Sequence, residues 1–157
     1  MKFNKKITNL LIVALSTLVL SACSTAKKTV GSGDVYTGNA TVEYLASGVK
    51  DRVFYATNSS ALTTASRDTL RKQANYLRKN KKLNVVLEGH GDERGTREYN
   101  LALGEKRANS AKDYLMTYGI SGKRISVISY GKEKPVNPAS TPLAWSQNRR
   151  AVTIKAK

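Results

Sequence analysis

Cysteine is almost absent from this chain. The 157 residues contain one, Cys23, so no internal disulfide can staple the fold and packing must hold it. Acidic side chains are scarce too, 11 against 27 lysines and arginines, which leaves a formal charge of +16. Such an excess favours anionic partners, but composition alone does not choose among nucleic acid, lipid head groups and polymeric carboxylates. Apolar runs are short: the longest, Ile7 to Leu20, falls below the ~20 residues that a spanning helix needs. Histidine occurs once, at His90, without a second histidine at metal-binding spacing. Glu88, His90, Asp92 and Glu93 therefore make a weak metal site, and no metal or other cofactor is expected. No G-x-S-x-G or similar nucleophile motif occurs, and Ser59, Ser60 and Ser66 suit turns and a helix start, so no catalytic residue is assigned.

What is present begins at the first residues. Lys2, Lys5 and Lys6 precede the apolar run, and Ser21, Ala22 and Cys23 follow it, which is the grammar of a secretory signal over residues 1–22. Leu20-Ser21-Ala22-Cys23 resembles a bacterial lipobox, in which the cysteine receives lipid and becomes the mature terminus. Ser24, in place of an Asp, then favours the outer membrane. Removing the leader leaves 135 residues, enough for one domain, and lowers the charge to +13 by the loss of three lysines. Export argues against nucleic acid as the partner. Ser24 to about Asn39 is rich in Ser, Thr, Gly and Lys without apolar periodicity, which predicts a flexible tether, with Thr41 to Gly48 an extended or helical lead-in. The expected organisation is a signal at 1–22, a lipidated tether and lead-in at 23–50 and a periplasmic domain at 51–157.

Within the domain, Arg52 to Tyr55 reads as a strand. From Thr64 to Asn80, Leu70, Ala74 and Leu77 recur at helical spacing behind Thr63, a good N-cap. Leu83 to Glu88 reads as a second strand. Glu98 to Tyr118 reads as a second helix, with Leu101, Ala108, Ala111 and Leu115 on its core face and Gly119 at its end. Ile125 to Tyr130 is a third strand, Gly131 to Gln147 a Pro-containing loop, and Arg150 to Lys155 a fourth strand with Val152 and Ile154 alternating. The order β-α-β-α-β-β predicts a two-layer α+β sandwich, a mixed sheet with both helices on one face.

The stretch Glu88 to Ala108, E-G-H-G-D-E-R-G-T-R-E-Y-N-L-A-L-G-E-K-R-A, carries the functional signal. Asp92 lies in a glycine-punctuated loop and Arg107 in the helix after it. Asn100, Leu103 and Arg107 share one helical stripe that leans back toward that loop. An acid and a planar guanidinium at fixed separation suit a zwitterion, one taking its ammonium and the other its carboxylate. Backbone N–H groups near Gly95 and Thr96, close to the helix start, suit a further carboxylate.

This stretch resembles the OmpA-like peptidoglycan-binding domain, whose Asp and Arg hold meso-diaminopimelate of the cell-wall stem peptide. The resemblance spans Val53 to Ile154. Ser129-Tyr130-Gly131-Lys132-Glu133-Lys134-Pro135 and Asn148-Arg149-Arg150-Ala151-Val152 resemble the lipoprotein branch of that family. It implies a non-enzymatic wall binder in the outer membrane, a member of the Tol system and a partner of the TolB propeller and other Tol proteins. The alternatives are a peptidoglycan-modifying enzyme and a basic protein of membrane surfaces. One departure stands out: Tyr55-Ala56 occupies the site position where the family usually has Phe-Asp. Arg149, Arg150, Tyr130 and Trp145 are expected in ion pairs and packing rather than on ligand.

Overall fold

The computed structural model describes residues 44–156; the expected leader, Cys23 and most of the tether lie outside them. The described chain opens with an antiparallel hairpin, β1 (Tyr44–Ala46) and β2 (Val49–Lys50), in the stretch expected to be a lead-in. It continues through β3 (Arg52–Phe54), helix α1 (Thr64–Lys79), β4 (Val85–His90), helix α2 (Arg97–Thr117) and β5 (Ile125–Gly131). A short helix α3 (Pro142–Asn148) and β6 (Arg150–Lys155) complete it. The hairpin and α3 are additions to the expected order. The segment Gly131 to Gln147 is therefore not all loop: Thr141 accepts a hydrogen bond from the Ala144 N–H, and Pro142 fills the first turn, where its missing donor costs nothing.

Local chemistry sets the ends of the long helices. The Thr63 side chain caps α1 by accepting from the Ser66 N–H, and the Ser66 hydroxyl donates to the Phe54 carbonyl at 2.9 Å, tying the helix start to the end of β3. Thr96 caps α2 in the same way, accepting from the Tyr99 N–H. α2 ends at Thr117, with Tyr118 as its C-cap just before Gly119.

The four-stranded sheet has the order β3-β6-β4-β5, with β6 antiparallel to both neighbours and β4 parallel to β5. Leu70, Ala74 and Leu77 of α1, Ala108, Ala111 and Leu115 of α2, and Val53, Val85, Leu87, Ile125 and Ala151 of the sheet form one buried cluster. Both long helices therefore cover the same face, as expected. Two positions differ. Leu101 is only half-buried, and the buried stripe of α2 runs instead through Asn100, Gly104 and Arg107. In β6 the core side is Ala151 and Thr153, while Val152 and Ile154 point the other way. Thr153 satisfies its hydroxyl on Gln73 of α1, and Ala151 joins the buried cluster that both helices share.

Gly89 and Gly104 allow a close approach of α2 to β4. A methyl group at Gly89 would overlap the Gly104 carbonyl, and one at Gly104 would strike Ser129 and Gly89. This contact sets α2 directly on β4. It brings the start of α2 beside the loop that leaves the end of β4, where the candidate site forms.

Candidate functional site

Asp92 follows β4 by two residues and Arg107 lies in the third turn of α2. Both line a cavity of about 250 Å³ together with Gly95, Asn100 and Leu103, all expected there, and with Thr57, Asn58, Arg94 and Tyr99, which were not. The remaining expected residues sit around it. The Thr96 side chain serves the helix cap. The Tyr55 ring is fully buried in the core, a correction to its expected place on the ligand surface; its hydroxyl donates to the Arg107 carbonyl at 2.7 Å. Burial pushes that hydroxyl up to about 12, so it stays protonated. Ala56 supplies only its backbone carbonyl, which accepts from Arg107.

Arg107 is 1% exposed, yet among the described residues it pairs with no carboxylate. Its Nε donates to the Ser59 carbonyl at 2.9 Å, and its terminal nitrogens donate to His90 at 2.8 Å and Ala56 at 3.1 Å. Three of five N–H groups are thereby placed and two are left for another acceptor. Burial, then the neighbouring Arg149, lowers its pKa to about 10, against the opposing pull of Asp92. The group remains a cation at neutral pH, held by dipoles alone, in the wall of a cavity.

Asp92 is the reverse case. Its carboxylate accepts from the Arg94 backbone N–H and side chain, at 2.7 Å for the shortest bond, and from Arg149 at 3.2 Å. Burial opposes its charge, but the bonds from Arg94 and Arg149 outweigh that and hold its carboxyl below the usual range. These four bonds fill the acceptor positions of a carboxylate. Arg149, expected in an ion pair, is buried and also donates to the Tyr55 carbonyl, so it fixes Asp92 to the sheet. The Arg94 side chain is 41% exposed and lies over the Trp145 ring at 4.3 Å.

The loop is braced from outside. Lys132 donates to the carbonyls of Gly95 at 2.8 Å and Glu93 at 3.3 Å. The Glu93 carboxylate accepts from Trp145 Nε1 at 2.7 Å and from the Ser140 hydroxyl at 2.9 Å. Asn100 donates to the carbonyls of Arg94 and Thr96 from inside. Gly95 meets the positive φ of 84° that the turn requires. Tyr99 reaches across the cavity mouth to hydrogen-bond Asn58. Thr141-Pro142, an N-cap followed by a first-turn proline, was the available signal for α3 and hence for the brace. Nothing local marks Arg94 or Tyr99 as cavity residues, because both get there through tertiary packing.

The OmpA family model matches residues 54–149. The chain belongs to the OmpA family. Two of its relatives there are peptidoglycan-associated lipoproteins. That of Rhizobium meliloti is 41% identical over 152 residues, covering 92% of this chain and 85% of the relative. That of Mesorhizobium japonicum is 40% identical over 149 residues, covering 91% and 89%. Among solved structures, the peptidoglycan-associated lipoprotein of Burkholderia pseudomallei superposes with a TM-score of 0.66 at 36% identity, over 68% of this chain and 91% of that one. The C-terminal domain of Helicobacter pylori MotB, at 20% identity and a TM-score of 0.63 over 68% and 84%, shares the fold. This OmpA-family chain carries the mixed α+β architecture of those neighbours, with its cavity at the junction of β4 and α2.

Proposed function

We propose that this chain is an outer-membrane lipoprotein whose periplasmic domain, at 51–157, binds the meso-diaminopimelate of peptidoglycan stem peptides without covalent chemistry. It thereby ties the membrane to the wall, with a leader at 1–22, a lipid on Cys23 and a tether between. The observation that carries the reading is Arg107, a buried guanidinium in a cavity wall with donors to spare and no carboxylate of its own. A cation desolvated in this way gains most from an anion brought by the ligand. The carboxylate of the diaminopimelate centre takes the two free N–H groups of Arg107 in a charge-assisted pair. Its ammonium reaches Asp92 in place of the Arg94 guanidinium, the one donor on that carboxylate whose side chain has room to leave. The names of the relatives, peptidoglycan-associated lipoproteins, support peptidoglycan as the ligand. Many tethered copies facing one polymer convert a modest affinity at each site into firm retention.

Sedimentation with insoluble peptidoglycan tests the reading. The chain is expected in the pellet, without release of soluble wall fragments. Asp92→Ala and Arg107→Lys are expected to weaken retention about 10- to 100-fold, the worth of one charge-assisted bond. Folded variants that sediment like the unaltered chain would refute it. The lipoprotein resemblance adds the TolB propeller and other Tol proteins as partners of this surface, so TolB and wall peptide are expected to compete; one domain carrying both would contradict that part.

A further inference from the structure

We propose that the end of the domain opposite the cavity is a docking surface for an anionic lipid bilayer. β4 and β5 run side by side from that end toward the cavity, and β6 returns to it. It is built from the last turn of α1, the turn before β4, the 3-10 turn Gly122–Arg124 and the end of β6. These segments bring together Arg78, Lys79, Lys81, Lys82, Lys123 and Lys155, all exposed. Described carboxylates are few there. Asp51 is held by Arg52 at 2.8 and 2.9 Å, and Asp113 lies one turn before the end of α2.

Structural duties at this end fall to Arg124 and, over the Tyr76 ring at 6.0 Å, to Lys155. Arg124 donates to the carbonyls of Leu77, Asn80 and Leu83, and the Asn80 side chain donates to the Tyr76 carbonyl. Two of the last-turn carbonyls of α1, those of Tyr76 and Leu77, are thus covered, which reduces the negative potential of that helix end. Lys79, Lys81 and Lys82 make no ion pair among the described residues and line an open hollow of about 500 Å³ with Asn80 and Leu83. Beside this cationic rim the last turn of α2 exposes Met116, 44% accessible, against Gly122. Ammonium groups at phosphate level with an apolar side chain among them suit the head-group boundary of a bilayer, whereas a soluble polyanion has no use for the methionine.

The route of the chain favours the same orientation. β3 is antiparallel to β6, so it starts toward the Lys155 end, and the hairpin before it is held to α1 by the Gln73 bond to the Lys50 carbonyl. The chain before Tyr44 therefore joins the domain on the membrane-facing side, and the cavity faces away. From the reading above, the proposal takes only the lipid anchor on Cys23.

The test is flotation of the chain lacking residues 1–22 and carrying Cys23→Ser, so that no lipid is attached, with phosphatidylcholine vesicles with and without phosphatidylglycerol. Binding is expected only with phosphatidylglycerol, weakening as salt rises. Joint replacement Lys79→Gln, Lys81→Gln and Lys82→Gln is expected to reduce it about a hundredfold. Arg67→Gln, Lys72→Gln and Lys106→Gln, an equal loss of charge elsewhere, is expected to have far less effect. Binding indifferent to phosphatidylglycerol, or equal losses in the two triple variants, would overturn the proposal, since net charge alone would then account for any attraction. The first triple is expected to sediment with peptidoglycan unchanged, so loss of wall binding and loss of vesicle binding are separate outcomes.

Discussion

Arg107 and Asp92 show how two buried charges in one cavity wall are held by different means. The guanidinium rests on three backbone carbonyls, which any residue at positions 56, 59 and 90 can supply. That is why Ala56, in place of the usual family Asp, leaves the Arg107 cradle intact: the backbone does that work. The carboxylate depends on two side chains that sequence spacing did not single out, Arg94 and Arg149. Asn100, Leu103 and Arg107 were legible because helical periodicity puts them on one stripe, facing the loop that carries Asp92. Arg149 was legible only as a generic ion-pair residue, since its place beside Asp92 is set by the pairing of β6 with β4. The proposed displacement of Arg94 has an optical consequence. Its guanidinium lies over Trp145, the chain's single tryptophan, so indole emission is expected to change as meso-diaminopimelate saturates the site. Arg94→Ala should abolish the change. An identical response in that variant would mean that Arg94 stays in place when ligand binds.

Among the elements, the strands and long helices followed from alternation and 3.6-residue periodicity, and the cap of α1 from Thr63; the Thr96 cap of α2 is a finding of the structure. The parity of β6 did not follow. Val152 and Ile154 are the more apolar pair, yet the core side holds Ala151 and Thr153, whose hydroxyl finds a partner in Gln73 of α1. The polar stripe of α2 was obscure for a related reason: Asn100 and Arg107 are buried to serve the site, and Gly104 to admit β4. The Gly89–Gly104 contact makes an exacting test of the packing. Gly89→Ala is expected to destabilise the domain by about 2–4 kcal/mol, measured by urea denaturation, because backbone on both sides must separate. A loss below about 0.5 kcal/mol, typical of a surface change, would show that the helix and strand are not in the intimate contact described.

At the scale of the whole molecule, the two ends of the sheet differ, with the cavity at one and an exposed cationic surface at the other. At the cavity end, His90 makes stability depend on pH. Its ring is buried against Tyr130, 3.8 Å from Glu88. Burial, then the charges of Arg150, Lys134 and Arg52, lowers its pKa to about 3 from 6.5. Above pH 6.5 neither folded nor unfolded chain is protonated there, and stability is constant. Below that value the unfolded chain binds a proton that the folded one refuses until about pH 3, so stability falls as pH drops, by up to ~1.4 kcal/mol per unit. Since this is the chain's only histidine, urea denaturation between about pH 7 and pH 5 isolates it from the carboxylates. His90→Phe is expected to flatten the profile, and a flat profile in the unaltered chain would contradict the account.

The proposed zwitterion site is tested most directly by calorimetric titration of the chain with a stem peptide ending in meso-diaminopimelate, beside the same peptide with that residue's side-chain carboxyl amidated. The account predicts binding of the first and at least a ~10-fold loss for the second, the cost of one charge-assisted bond to Arg107. Equal affinity for the two peptides, or no binding of either, would contradict it.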